Sequence, residues 1–252
     1  MVTNIVIPLP PNGGKHGDDA ELRYSLRSLS HHLKSDFKVT IFSRDLPSWL
    51  VGVSHLNYSF CGLKSLEIIS KEYPDGFFLF YPVTCFLKDL TVDDIYPAPC
   101  RPSIQAMSPF PVRSEVLSSY AKKADSKGFT LWDYSTPLGP YWFTADMVAS
   151  LVTDWGHDDV MLPFESLALS KFDHPRKFRT VRFIGGSFHT YQYSSAKECL
   201  VYNDHGNTPQ LRNYLSARYP VSTRFENDGG NGLHLRLYTG LLKTYAKQET
   251  RL

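Results

Sequence analysis

The chain opens on a short apolar run, NIVIPL at residues 4–9, with a proline close to its end. Apolar character without polar alternation over so few residues predicts a strand covered on both faces, as in a parallel sheet. The loop PPNGGK follows at 10–15, and leucines then recur at Leu22, Leu26, Leu29 and Leu33. That spacing predicts a helix with one buried stripe. Arg23, Arg27 and Ser30 fall to its sides, and Asp18 or Asp19 is placed to cap its start. FKVTIF at 37–42 predicts a second strand ending at Ser43-Arg44-Asp45, and PSWL at 47–50 opens a turn or short helix. Leu63, Leu66 and Ile69 predict a helix over 63–73 that Pro74-Asp75-Gly76 ends. FFLFY at 77–81 is the most hydrophobic stretch and predicts the central strand.

Strand–helix units leading into such a strand describe an α/β fold, a sheet built by right-handed crossovers with helices on both faces. Ligands of these sheets sit outside the carboxyl ends of the strands, here residues 8–15, 43–45 and 81–86. Five prolines between 96 and 112 predict an extended crossing segment. A helix at 114–124, an irregular aromatic wall at 131–143, short helices at 145–153 and 163–170 and a strand at 180–184 follow. Helices at 207–219 and 233–247 close the order, and no internal repeat is present.

Composition narrows the class. With 252 residues, 42% of them hydrophobic, the chain can bury a sizeable core, which excludes disorder as its main description. A net charge of +2 demands neither nucleic acid nor an anionic membrane as partner, though a local basic groove is compatible with it. No stretch approaches the roughly 20 apolar residues of a membrane span, and the start lacks a signal peptide's pattern, so a soluble cytoplasmic protein is expected. Cys61, Cys85, Cys100 and Cys199 stand far apart without a C-x-x-C pair and read as small buried hydrophobes.

Four constellations bear on chemistry. Asn12-Gly13-Gly14-Lys15 with Arg23 and Arg27 offers glycine backbone, a helix start and cations to an anion; the plainer reading is a solvated loop and arginine face. Neither a Walker loop nor G-x-G-x-x-G is present. His157-Asp158-Asp159 supplies adjacent carboxylates that suit a divalent cation or a general base, or that merely cap the next helix. His189, in GGSFHT, reads as a ligand-facing or a structural histidine, and YNDHG at 202–206 as a polar turn or a cap. Nucleophilic hydrolysis lacks a G-x-S-x-G elbow and a placed Cys–His pair.

These residues bring a family likeness with them. IVIP followed by a polar loop resembles the opening of the GT-A fold of nucleotide-sugar glycosyltransferases. ELRYSLRSL with the later LPSWL resembles the second conserved region of Stealth sugar-phosphate transferases and related phage-encoded transferases. YNDHGNTPQLRNYLSARYPVSTRFE resembles their last conserved region, closing on residues 220–226, and the matches keep their order along the chain. WGHDDVMLPFESLALSKF is similar to the Trp/Gly-x-Glu-Asp stretch of many GT-A enzymes, where an acidic residue faces the acceptor hydroxyl.

The resemblance implies one GT-A-like three-layer α/β/α domain over 1–252, with a mostly parallel sheet, a nucleotide-sugar-binding half at 1–95 and an acceptor half at 96–252. It implies that Pro8, Asn12, Lys15, Arg23, Asp45 and Lys64 border the donor, with Arg23 on the diphosphate. His157, Asp158 and Asp159 would meet the acceptor, and His189 would hold a divalent cation, Mn or Mg, with Asp158 or would assist the leaving phosphate. One departure stands out. The acidic motif these families carry at the end of the central strand is replaced by FYPVTCF at 80–86, and Asp93-Asp94 lies well beyond, in a position that also suits a helix cap. Metal-independent catalysis, a cation held elsewhere and lost activity all fit that departure. The expected reaction moves a sugar to a hydroxyl of a polysaccharide or, for a bacteriophage protein, of a hydroxymethylated pyrimidine in DNA modification in the host cytoplasm. Lys122, Lys123, Lys127, Arg176, Lys177 and Arg179 would then contact phosphates. The alternatives are sugar-1-phosphate transfer and a degenerate nucleotide- or partner-binding module.

Overall fold

The computed structural model describes residues 2–10, 14, 16–59, 62–95, 126, 140–157, 181–184, 199–202, 204 and 206–227. β1 (Thr3–Pro8) leads through α1 (Ala20–His32) to β2 (Phe37–Ser43), and β3 (Ser54–Asn57) leads through α2 (Gly62–Glu72) to β4 (Phe77–Leu79). After β5 (Thr84–Phe86) and the single turn α3 (Val92–Ile95) come β6 (Tyr141–Phe143) and α4 (Ala145–Trp155), then β7 (Val181–Ile184), β8 (Cys199–Tyr202) and α5 (Pro209–Arg218).

The main sheet has the order β3-β2-β1-β4-β6, parallel except for β6, so the fold is α/β with a mostly parallel central sheet. The period of two along each strand explains why its apolar runs are unbroken. Ile5 and Ile7 of β1 and Phe78 beside Phe80 enter one core with Leu22, Leu26 and Leu29 of α1. Val6, Phe77 and Leu79 enter the opposite core with Leu63, Leu66 and Ile69 of α2 and Val148 and Leu151 of α4. Thr40, the polar interruption of β2, is buried and shares a 2.6 Å hydrogen bond with the Tyr73 hydroxyl.

The middle of the sheet is β1, not the 77–81 stretch expected there. The crossover through α2 carries the chain past β1 to its free side, and the extreme hydrophobicity of 77–81 reflects helices on both faces. The aromatic stretch at 131–143 was expected to be irregular throughout; its last three residues are a strand, with Phe78 paired to Trp142. Between β2 and α2 the sequence shows only a turn at Pro47-Ser48-Trp49-Leu50, where Leu50 N–H bonds to Pro47 O at 3.0 Å. The strand that follows, β3, escapes notice because it is a mostly exposed edge reading Ser-His-Leu-Asn.

A second sheet, β5-β8-β7, packs between α1 and α5. Cys199 and Val201 face the α1 core, while Leu200 and Tyr202 join Cys85, Leu211, Leu215 and Tyr219 beneath α5. α1 is stitched to this sheet by the buried Ser28 hydroxyl, which accepts from Phe86 N–H at 3.1 Å. Cys85 and Cys199 are buried thiols, and burial pushes the Cys85 thiol up to about 12. Cys61, Cys100 and the helices expected at 114–124, 163–170 and 233–247 lie outside the described residues.

Candidate functional site

β1 connects towards β2 on one side, and the chain returns to β4 on the other. The strand order therefore reverses between β1 and β4, the place where parallel sheets leave a crevice outside their carboxyl ends. A cavity of about 950 Å³ opens there. Pro8, Leu9 and Pro10 continue β1 into it, Ser43, Arg44, Asp45, Leu46 and Pro47 continue β2, and Ser59 follows β3. Tyr81, Pro82 and Val83 follow β4, and Asp19 reaches it from the start of α1. Of the expected donor-site residues, Pro8 and Asp45 are in this wall.

The β2 side of the wall is fixed by its own hydrogen bonds. The Ser43 hydroxyl donates to Asp45 O at 2.7 Å, and Ser43 O lies 2.9 Å from His55 Nε2 and accepts from Tyr58 N–H at 3.1 Å. The α1 side is tied to the start of α5. Asp18 pairs with Arg212, and Asn207 donates through its amide to Glu21 Oε1. Glu21 Oε2 is buried with no hydrogen-bond partner among the described residues, and a Cβ placed on Gly14 would sit 2.9 Å from it.

Of the two candidates to cap α1, Asp18 accepts from Ala20 N–H at 3.2 Å, whereas Asp19 makes no side-chain cap bond. Asp19 instead stands at φ 52°, the left-handed region that costs a non-glycine residue about 1 kcal/mol or more. Burial first, and Asp18 beside it, push its carboxyl above the ordinary range against the pull of Arg23. A half-buried carboxyl, free of capping duty, thus lines the cavity opposite the β2 wall.

Arg23 is not among the lining side chains. Its Nη1 donates to Glu226 Oε2 at 2.9 Å, and its guanidinium lies 3.9 Å from the Trp49 ring centre. Arg27 binds the same carboxylate twice, Nε to Oε1 at 2.8 Å and Nη2 to Oε2 at 2.7 Å, and donates from Nη1 to Tyr219 O at 3.0 Å. The Glu226 side chain is fully buried. Asn227 N–H bonds to Trp49 O at 2.7 Å and Val51 N–H to Phe225 O at 2.9 Å. The segments ELRYSLRSL, LPSWL and PVSTRFE, read separately in the sequence, therefore meet in one clamp.

Lys64 is exposed on the first turn of α2, outside the cavity wall. His157 Nε2 lies 2.8 Å from Glu67 Oε2, and the other oxygen of that carboxylate, Oε1, binds Lys71 Nζ at 3.0 Å. α4 starts beside Pro74 and ends with His157 beside Glu67, so it runs antiparallel to α2, towards the end of the sheet where the cavity opens. His157 is not brought to the cavity wall itself. Asn12, Lys15, Asp158, Asp159 and His189 lie outside the described residues, as do Lys122, Lys123, Lys127, Arg176, Lys177 and Arg179. Thr91 caps α3 by accepting from Asp94 N–H at 3.3 Å, and the Asp94 carboxylate, inside the helix, reaches back to accept from Thr91 N–H at 2.8 Å, so Asp94 serves the cap and is not held ready for a metal. The polar turn after Tyr202 is not the cap of α5, because Thr208 accepts from Leu211 N–H at 3.3 Å. Among the described residues no three His, Cys, Asp or Glu side chains are placed to hold a metal ion. No described helix is long and apolar enough to cross a membrane.

Sequence reading missed Arg44, although it stood in the Ser43-Arg44-Asp45 strand end, and the pairing of Glu226 with two arginines that lie about 200 residues away. No protein-family model matches the chain, and no curated protein matches it.

Proposed function

We propose that the chain is a nucleotide-sugar-dependent glycosyltransferase of GT-A-like architecture that moves a sugar to a hydroxyl acceptor, with the donor in the cavity above β1, β2 and β4. One observation carries the reading: the cavity lies at the reversal of strand order, and Pro8 and Asp45, two residues the family resemblance assigns to the donor, are in its wall. Its size suits a ligand of this class. Carboxylates such as Asp45 accept hydrogen bonds from ribose or sugar hydroxyls, and the prolines and Leu46 give the wall an apolar, stiff surface. In the reaction the acceptor oxygen bonds to the anomeric carbon, the bond from that carbon to the diphosphate oxygen breaks, and the acceptor proton passes to a base. Asp159, with Asp158 and His157 beside it, is the proposed base.

The reading is tested by incubating the protein with UDP-, GDP- and CDP-sugars, with and without Mn²⁺, on glycan and hydroxymethylated-DNA acceptors. Release of nucleoside diphosphate, lost in Asp159→Asn with donor binding kept, is the expected outcome. Binding with no release on any acceptor would replace the enzyme with a nucleotide-binding module. A second reading, sugar-1-phosphate transfer, is favoured by the meeting of the Stealth-like segments at Glu226. It predicts nucleoside monophosphate as the released product.

A further inference from the structure

A diphosphate-bearing ligand needs positive charge where its leaving oxygens sit, because charge developing there is the main electrostatic demand of transfer. The two arginines that α1 offers are already bound to Glu226. The acidic, metal-binding motif is absent from 80–86. Among the described residues of the cavity wall one cationic side chain is present, Arg44. It is exposed, and no ion pair ties it to Asp19 or Asp45 although all three line the same space.

We infer that Arg44 is the phosphate-binding cation of the cavity and takes the pyrophosphate group of its ligand. The inference rests on the proposed donor site for its biological ligand, but the anion chemistry stands apart from turnover. The backbone around Arg44 is set in advance: the Ser43 hydroxyl to Asp45 O, His55 to Ser43 O and Tyr58 N–H to Ser43 O hold the turn on both sides. Little backbone order remains to be lost when the guanidinium closes on phosphate oxygens. Guanidinium matches such oxygens in a two-pronged geometry that an ammonium does not reproduce. The carboxylates in the same wall fit the other end of such a ligand, its hydroxyls. The apolar surfaces of Leu46, Pro47 and Tyr81 fit its ring systems.

Calorimetric titration with inorganic pyrophosphate, UDP and uridine, at low and at moderate salt, tests this on the full chain. Wild type is expected to bind pyrophosphate and UDP with salt-dependent affinity. Arg44→Ala should lose at least tenfold for both, with uridine unaffected, and Arg44→Lys should recover only part. UDP bound much more tightly than pyrophosphate would identify a nucleotide as the source of the anion, and equal affinity a free phosphate ligand; either requires Arg44. Arg224→Ala, an exposed arginine beside Phe37 at the start of β2, is the control and should bind as wild type does. Thermal unfolding of Arg44→Ala at the wild-type midpoint establishes that it folds. Undiminished pyrophosphate binding by Arg44→Ala, or none by wild type, overturns the inference. If Arg44-dependent binding is found without any nucleotide release, the glycosyltransferase reading fails and the phosphate site stands. Turnover in Arg44→Ala with unchanged KM does the reverse.

Discussion

Gly76 shows how much one residue can decide. It joins α2 to β4 at φ 127°, a backbone that side chains rarely permit, and a Cβ there would fall within the Trp142 indole. Trp142 packs edge-on against Phe78, with ring centres 4.9 Å apart, so the indole cannot simply withdraw. Gly76→Ala is expected to cost about 3 kcal/mol, from overpacking and backbone strain together, in urea denaturation. Gly76→Ala with Trp142→Leu should recover part of the loss. A cost below about 1 kcal/mol would mean that the strand junction yields more easily than its packing indicates. His32 is a second case. Its Nδ1 lies 2.9 Å from Asp89 Oδ1, while Nε2 is buried without a hydrogen-bond partner among the described residues. Burial lowers its pKa, with help from His31 and Arg218, and outweighs the opposing pull of Asp89. The unfolded imidazole therefore binds its proton at a higher pH than the folded one. Stability from this group is present above the unfolded value of about 6.5 and is lost as pH falls below it. The melting temperature should drop between pH 7.5 and 5.5, and His32→Asn, which keeps a donor near Asp89 but cannot titrate, should flatten that drop. An unchanged slope in the variant would assign the effect to other groups.

At the scale of elements, α1 is held less by its own propensity than by what its two faces meet. The leucine stripe, with Leu26 and Leu29 wholly buried, was readable from spacing alone because burial of that face repeats with the helix turn. The arginine face was not. Arg23 and Arg27 resemble an anion-binding pair until Glu226, about 200 residues on, is seen between them; no local rule links positions so distant. The strand ends that form the cavity were legible from the alternation of strands and helices. Among the short strands β4 and β7 were legible, within the expected strands at 77–81 and 180–184, whereas β3, β5, β6 and β8 were not, since three or four residues carry too little period to read. Removing a buried carboxylate from between two guanidinium groups leaves both charges without their partner, at a cost of about 3–5 kcal/mol. Glu226→Gln should show a loss of that order by chemical denaturation, larger than Arg23→Ala. The Arg23 side chain keeps 27% of its surface in solvent against 15% for Arg27, which also makes the two-pronged contact, so Arg27→Ala should fall between them. Equal losses from Arg23→Ala and Arg27→Ala would show that the second contact and the deeper burial of Arg27 contribute nothing.

For the molecule as a whole, the packing of the described residues is continuous across residue 95. Every face of the first half depends on the second. Phe77 and Phe78 are covered by Phe143 and Trp142 of β6, and the α2 core is closed by Val148, Leu151 and Trp155 of α4. On the opposite side β5 pairs with β8, and α5 lies over Cys85 and Leu87. Arg218 reaches back to Leu87 O at 2.6 Å, and the Tyr219 hydroxyl donates to Phe86 O. A chain cut after residue 95 would expose β4 and β5, whose side chains are all buried in the full protein, without the strands that complete their hydrogen bonds. Burial of a large aromatic or aliphatic side chain contributes roughly 1.5–3 kcal/mol, so exposing even four of them approaches the whole stability of a domain. Fragment 1–95 is therefore expected to lack native near-ultraviolet dichroism and to aggregate, even though it holds every described residue of the cavity wall. Mixing it with fragment 96–252 should restore the signal if the halves fold only together. A fragment 1–95 that is monomeric, cooperatively folded and able to bind pyrophosphate would instead make the first half a self-sufficient unit and the second half an attachment to it.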